Sequence, residues 1–334
     1  MANEAELVYT VLEVVIAAAC CLGNVLVVWA LWLCGAMRRQ PTFCFIASLA
    51  VADFLVGAVA IPVAILVDGH IRATFHGCVA LCSVVIVLTQ ASVHSLLAIA
   101  LDRFLRVYIP LRYKTLVTEF RAWCVVIGCW IGAFLLGSVP LLGWTNPQSS
   151  SSSPSSPPVC QFVVVMSMSY MVFFNFVSCS LVPMLCTSGL YAYIFWRISR
   201  QLHSRDVASK HYYRGERSLA RSLALVLALF AICLLPMHFV NVAVPRGVTY
   251  LAILLSHANS AVNPVVYTFK VPRIQKAYVQ IWRSCVLWCS CGGDSKQEQS
   301  GSSSDNMDNA VASSDTVKRD MFPNTESSDS RLAD

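Results

Sequence analysis

The chain has 334 residues, of which 57% are hydrophobic and only 13% charged, with a formal net charge of +6. So apolar a balance excludes an ordinary soluble domain, in which about a quarter of the residues carry charge. No catalytic constellation stands out, and neither an enzyme nor a nucleic-acid partner is expected.

Met1 to Tyr9 holds Glu4 and Glu6 and no basic residue, so no cleavable signal peptide is expected and the first apolar run serves as its own insertion signal. Seven windows nearly free of charge follow, at 8–33, 42–67, 76–101, 122–143, 169–196, 222–245 and 247–269. Each is near or above the roughly 20 residues a helix needs to cross hydrocarbon, which predicts an all-α, seven-transmembrane helix bundle in a lipid bilayer. Eighteen of the 24 Lys and Arg lie in the connections after windows one, three, five and seven. By the positive-inside rule the protein is a multi-pass membrane protein with its amino terminus outside and its carboxyl terminus inside.

Glu13 and Asp53 are the only carboxylates within the windows, and intramembrane charge is expensive unless it has a function. In the third window Thr89, Ser92 and Arg103 share one helical face at about 100° per residue, whereas His94 points away from it. Most of the 15 cysteines lie inside windows or on the inner side, where thiols stay reduced. Cys78 and Cys160 fall at outer ends and can bond in an oxidising compartment, pinning the Ser- and Pro-rich loop Thr145 to Val159 across the bundle mouth. In the sixth window Leu234, His238 and Asn241 follow i, i+4, i+7, with Pro236 kinking the helix between them. In the seventh, Ser256, Asn259, Ser260, Asn263 and Tyr267 form a further inward stripe, and the Asn263-Pro264 step frees a carbonyl that neighbouring helices or water must satisfy.

After the seventh window Val271 to Arg283 reads as an amphipathic interfacial helix, with Ile274, Tyr278, Ile281 and Trp282 on one face and Arg273, Lys276, Gln280 and Arg283 away from it. Cys285 and Cys289, followed by Cys291, are candidates for palmitoylation, with plain free thiols as the alternative. From Asp294 onward nine acidic and four basic residues among many serines suggest a disordered tail available to kinases. The expected division is a seven-helix membrane domain with its interfacial helix over 1–284 and a cytoplasmic tail over 285–334. No internal repeat of the kind found in secondary transporters is visible.

Gly23-Asn24-Val25, Leu49-Ala50-Val51-Ala52-Asp53, Asp102-Arg103-Phe104, Trp130, Pro183 with Tyr191, Pro236 and Asn263-Pro264-Val265-Val266-Tyr267 stand in an order and spacing that resembles the rhodopsin-like, or class A, G-protein-coupled receptors from end to end. The resemblance implies that Arg103 pairs with Asp102 or Glu216 in the inactive state and releases to admit a heterotrimeric G protein, with Tyr191 and Tyr267 in the same switch. It also implies no cofactor beyond a sodium ion acting as an allosteric modulator, held by Asp53, Ser92, Asn259 and Asn263, since oxygen ligands suit a hard cation. Receptor kinases and arrestin are the partners it implies for the tail.

Within that family the local strings Val87 to Ser92, Ser95 to Ala100, Pro110 to Lys114, Cys160-Gln161-Phe162, Tyr170-Met171-Val172 with Asn175, Pro236-Met237-His238 with Asn241, and Leu255 to Ser260 are most similar to adenosine receptors. Val85 stands where an amine receptor carries Asp, so a cationic ligand is not expected. Adenine presents an acceptor and an amine donor on one edge, and the Asn241 amide can match both. Phe162 can stack over the ring, while Thr89, His238, Ser256 and His257 offer partners to ribose, with Glu13 hydrogen-bonded to His257. The resemblance adds Gln90, Met171, Asn175, Met237 and Ile253 to the ligand site.

Leu234 departs from the family's tryptophan, Phe104 from its usual tyrosine, Val163 from a glutamate found in several adenosine receptors, and Thr249 from a frequent methionine. Likeness in Ala100 to Val107 and Tyr212 to Glu216 points to the inhibitory-coupled subtypes, which lower cAMP. An atypical class A receptor for another purine nucleoside, a nucleoside transporter and a non-signalling scaffold are the other readings.

Overall fold

The computed structural model describes residues 2–33, 40–146, 159–202, 217, 221, 224, 225, 228, 229, 232, 233, 246–270 and 272–291; residues 2, 3, 68–70, 201, 202, 246, 267–270, 272, 273 and 284–291 are described as backbone only. In chain order the elements are α1 (Ala2–Leu33), α2 (Pro41–Leu55), a π-helical turn (Val56–Ala60) and α3 (Ile61–Val67). Next come β1 (Asp68–Arg72), α4 (Phe75–Tyr108), α5 (Pro110–Leu116), α6 (Glu119–Gly137) and a 3₁₀ turn (Val139–Leu142). β2 (Val159–Gln161), α7 (Phe162–Val165), a π-helix (Tyr170–Leu181), α8 (Val182–Leu202), α9 (Arg246–Lys270) and α10 (Pro272–Cys291) complete the order.

Among the described residues five helices are long and apolar enough to cross a membrane: Glu4–Leu33, Pro41–Val67, Phe75–Tyr108, Glu119–Gly137 and Tyr170–Arg200. They match the first five windows, and α9 matches the seventh. The sixth window, with Leu234, Pro236, Met237, His238 and Asn241, lies almost wholly outside the described residues. A helix is the natural solution here because hydrocarbon offers the backbone no partner outside the segment itself.

Local chemistry sets the helix starts. Pro41 and Pro110 stand in the first turns of α2 and α5, where the missing N–H is no loss. Thr74 caps α4 by accepting from the Gly77 N–H at 3.2 Å, and Thr118 caps α6 by accepting from the Arg121 N–H at 3.4 Å. The apolar outer faces stay exposed, as on α6 with Phe120 at 78% and Leu135 at 62% exposure, which is the reverse of a water-soluble bundle.

The core has two main parts. One lies along the Asp102 end of the bundle and includes Phe45, Ile46, Leu49, Ile99, Tyr191, Ile194 and Ile198. Ile274, Ala277 and Ile281 of α10 join it, and Tyr278 packs against it. Trp282, on the same apolar stripe, is 71% exposed, which suits a helix lying along a lipid surface. The second part surrounds Cys78 and Cys160 with Val67, Val79, Ile86, Val165, Met166 and Tyr170.

At the latter end the structure adds what periodicity does not foresee. β1 and β2 form an antiparallel pair with Asp68 opposite Gln161 and Arg72 opposite Val159. Strands of five and three residues are too short to leave an alternation signal. Asn146 extends the anchorage, its side-chain amide donating to the Val164 carbonyl at 3.1 Å.

Candidate functional site

Cys78 and Cys160 are joined in a disulfide with Cα atoms 5.6 Å apart. β2 is thereby fixed to the first turn of α4, and Phe162, two residues on, lies on the wall of a cavity inside this end of the bundle. Thr89, Met171, Asn175, Ile253, Ser256 and His257 line the same cavity, contributed by α4, the π-helix and α9. Met237, His238 and Asn241 lie outside the described residues, so their relation to the cavity is not part of this geometry.

Gln90, expected to contact ligand, sits behind the wall rather than on it, as does Glu13, whose hydrogen bond to His257 is the expected one. Glu13 is fully buried and its carboxylate meets His257 Nδ1 at 2.8 Å, which fixes the imidazole that does face the cavity. Gln90 is 1% exposed, and its Nε2 donates to Asn175 Oδ1 at 2.7 Å, which orients the Asn175 amide in the same manner. Both serve as supports for cavity residues.

Ser180 on the wall escaped the sequence reading for a geometric reason. It stands five residues after Asn175, about 140° away on an α-helix at roughly 100° per residue, but Tyr170–Leu181 is a π-helix whose wider turn aligns i and i+5. Its hydroxyl donates to the Asn175 carbonyl at 3.1 Å, and Ser178 repeats the pattern with Phe173, also at 3.1 Å. In α8 the same kind of bond spans four residues, Thr187 to Pro183 and Ser188 to Met184. Tyr9 is a further wall residue without a sequence signal; its ring stacks on Tyr250 with centroids 4.3 Å apart.

Deeper in the bundle Asp53 is fully buried and accepts from Ser92 Oγ at 3.0 Å, Ser260 Oγ at 2.9 Å and Asn263 Nδ2 at 2.6 Å. Three of the four residues expected to act together are therefore in contact. Asn259 does not bond to Asp53, and Ser260, one residue on, takes that place because it faces α2 more directly. Among the described residues Asn259 Oδ1 is buried with no hydrogen-bond partner. A carboxylate, two hydroxyls and an orphaned amide oxygen are a donor set that fits a small hard cation. Close approach of α1 to α9 beside this cluster depends on Gly23, where a Cβ would stand 3.0 Å from the Pro264 ring.

At the other end of α4, Arg103 and Asp102 form a buried ion pair, each side chain 1% exposed. Thr42 Oγ1 donates to Asp102 at 2.6 Å, and the Tyr113 hydroxyl donates to its other oxygen. Arg106 donates to the Tyr113 hydroxyl at 3.1 Å while its guanidinium lies 4.6 Å from the ring centre. Burial, and then the Asp102 carboxylate, push the Tyr113 phenol above its ordinary pKa, which keeps it a donor. Thr42 and Tyr113 are thus parts of this cluster that motif reading does not supply. Tyr191 is buried in the adjoining core. Glu216 lies outside the described residues, as do the side chains of Tyr267, Cys285 and Cys289. His94 turns to α6, with Nδ1 3.2 Å from the Cys129 carbonyl oxygen.

Comparison with known proteins bears on what these three clusters are for. The family described as "7 transmembrane receptor (rhodopsin family)" matches residues 23–267. The chain is 40% identical over 302 residues to adenosine receptor A2a of Homo sapiens, covering 84% of this chain and 73% of that receptor. It is 38% identical over 292 residues to adenosine receptor A3 of Bos taurus, covering 85% of this chain and 92% of that receptor.

Proposed function

The chain belongs to the adenosine receptors of the rhodopsin family, a multi-pass membrane receptor and not an enzyme, and from that premise we propose that it binds extracellular adenosine and relays the event to an inhibitory heterotrimeric G protein. The observation that carries the reading is the cavity whose wall joins Phe162 to Thr89, Asn175, Ser256 and a His257 held by Glu13. An aromatic plate over hydroxyl and imidazole groups suits a flat base attached to a sugar, since stacking holds the base and the polar groups answer the ribose. Asn241 is the residue we assign to the adenine edge, with Met237 and His238 beside it.

The amino terminus is outside and the carboxyl terminus inside, in keeping with the distribution of Lys and Arg. Sodium would be held by Asp53, Ser92 and Asn263, with Ser260 and Asn259 Oδ1 completing an oxygen set, and it would favour the inactive receptor. The Asp102–Arg103 pair, with Thr42 and Tyr113, holds the inner end closed until the G protein engages. Kinases and arrestin act on the tail, and Cys285 and Cys289 carry palmitate. Inhibitory coupling rests on the inner-loop likeness alone.

In cells expressing the full chain, adenosine should lower forskolin-stimulated cAMP. A rise in cAMP would replace the inhibitory assignment with a stimulatory one, and no response together with no purine binding would remove the adenosine reading. Asn241→Ala should weaken adenosine binding about tenfold or more, because each unpaired buried polar group costs roughly 1–3 kcal/mol and 1.4 kcal/mol is a decade. Undiminished competition binding in that variant, at normal surface expression, would reject Asn241 as the adenine partner.

A further inference from the structure

We propose that Cys78, Cys82 and Cys160 form a thiol–disulfide exchange site, in which Cys160 is held by either of two cysteines one helical turn apart on α4. Cys82 follows Cys78 by four residues, so the two share a helical face. The three sulfur atoms all lie within 4.8 Å of one another, yet only Cys78 and Cys160 are bonded and Cys82 is a free thiol. All three are buried, with Cys82 at 0%, among Val67, Val79, Ile86 and Val165. Dissolved thiols and oxidants are thereby kept away, while the neighbouring disulfide is already within reach of Cys82.

The chemistry closes without a co-reactant. The Cys82 thiolate attacks Cys160 Sγ, a Cys82–Cys160 bond forms, and the Cys78–Cys160 bond breaks. Cys78 leaves with the electron pair and takes up the proton that Cys82 gave up. One disulfide and one thiol exist before and after, so nothing is oxidised or reduced overall.

The consequence is mechanical. Moving the anchor one helical turn along α4 draws Cys160 towards Ile86 by less than the 4.8 Å that spans the three sulfur atoms. Phe162 follows two residues behind Cys160 and travels towards the cavity floor. The two connectivities therefore correspond to a deeper and a shallower cavity. That effect on binding rests on the proposed adenosine function, whereas the exchange itself does not.

The test is disulfide mapping on the full chain in membranes, with thiols blocked by N-ethylmaleimide under denaturing conditions and digestion without reduction. Chymotrypsin cleaves after Leu81 and so separates Cys78 from Cys82. In Cys78→Ser, where the Cys82 and Cys160 thiols must be joined by the disulfide-forming oxidants of the secretory compartment during synthesis, the expected result is a Cys82–Cys160 cross-linked peptide and loss of label from both residues; full labelling of both would overturn the proposal. Since that variant can fail to fold, the unmutated chain is also given a long incubation in mildly alkaline buffer without added thiol, which favours the thiolate. Label appearing on Cys78 together with the Cys82–Cys160 peptide, both absent from Cys82→Ser, supports exchange, and unchanged connectivity overturns it. Exchange in a chain that binds no purine would count against the adenosine reading and leave this one standing.

Discussion

Ser260 donates to the Asp53 carboxylate, while its chain neighbour Asn259 keeps a buried oxygen without a partner among the described residues. Their substitution should separate two roles. Ser260→Ala removes one of three donors to a buried carboxylate and should lower stability by roughly 1.5–3 kcal/mol, the scale of a hydrogen bond to a charged group. Asn259→Ala removes an unsatisfied oxygen and should cost less stability, but it should weaken the effect of sodium on agonist binding if that oxygen meets the ion. Thermal midpoints in detergent and agonist affinity with and without sodium measure the two. Asp53→Asn should abolish the sodium effect, and by linkage the agonist should then no longer weaken sodium binding. An equal response to sodium in Asp53→Asn and the unmutated chain would remove the ion from this site. The polar stripe of α9 is legible from the 3.6-residue period, but adjacent residues lie only about 100° apart and both satisfy it. Which of them bonds depends on how α2 and α9 are rotated, and no local pattern records that rotation.

Glycines report how closely the helices approach. A Cβ on Gly137 would stand 2.6 Å from Val87 Cγ2 and 2.9 Å from the Val87 Cα and N, so the backbone of α4 itself is in the way. Gly128 on the same helix has nothing within 4 Å. Gly137→Ala should therefore force α4 and α6 apart and lower the thermal midpoint of the purified protein. Gly128→Ala should leave it unchanged or raise it slightly, since alanine is favoured over glycine in a helix interior by roughly 1 kcal/mol. Equal midpoints would mean that the contact at Gly137 yields without strain. Helix existence is strongly written in the chain, because some 20 uncharged residues have few other destinations. The β1–β2 pair and the extension of α10 to Cys291 are not, since a three-residue strand and a helix end have no periodicity to betray them.

The cavity lies at one end of α4 and the Asp102–Arg103 cluster at the other, and the relay we propose between them runs through the sixth window. Leu234, where the family has tryptophan, stands seven residues before Asn241, roughly 10 Å along a helix at about 1.5 Å per residue. Leu234→Trp should change agonist efficacy or basal activity in a cAMP assay while antagonist affinity stays nearly constant. Identical efficacy would show that the surrounding packing already compensates. Cys160→Ser, which leaves β2 with no sulfur partner on α4, should abolish surface ligand binding, and unaltered affinity in a well-expressed variant would count against the disulfide as the anchor of Phe162. The fifth span also has to serve both ends at once, and it does so with two windings, wide from Tyr170 to Leu181 and ordinary from Val182 to Leu202. Substitutions anywhere along it leave the phase between the two halves intact, whereas deleting a single residue between Asn175 and Val182 would turn Asn175 and Tyr191 relative to each other by one residue's rotation. In this helix, then, length is a more guarded property than composition, and related chains should vary its letters far more freely than its count.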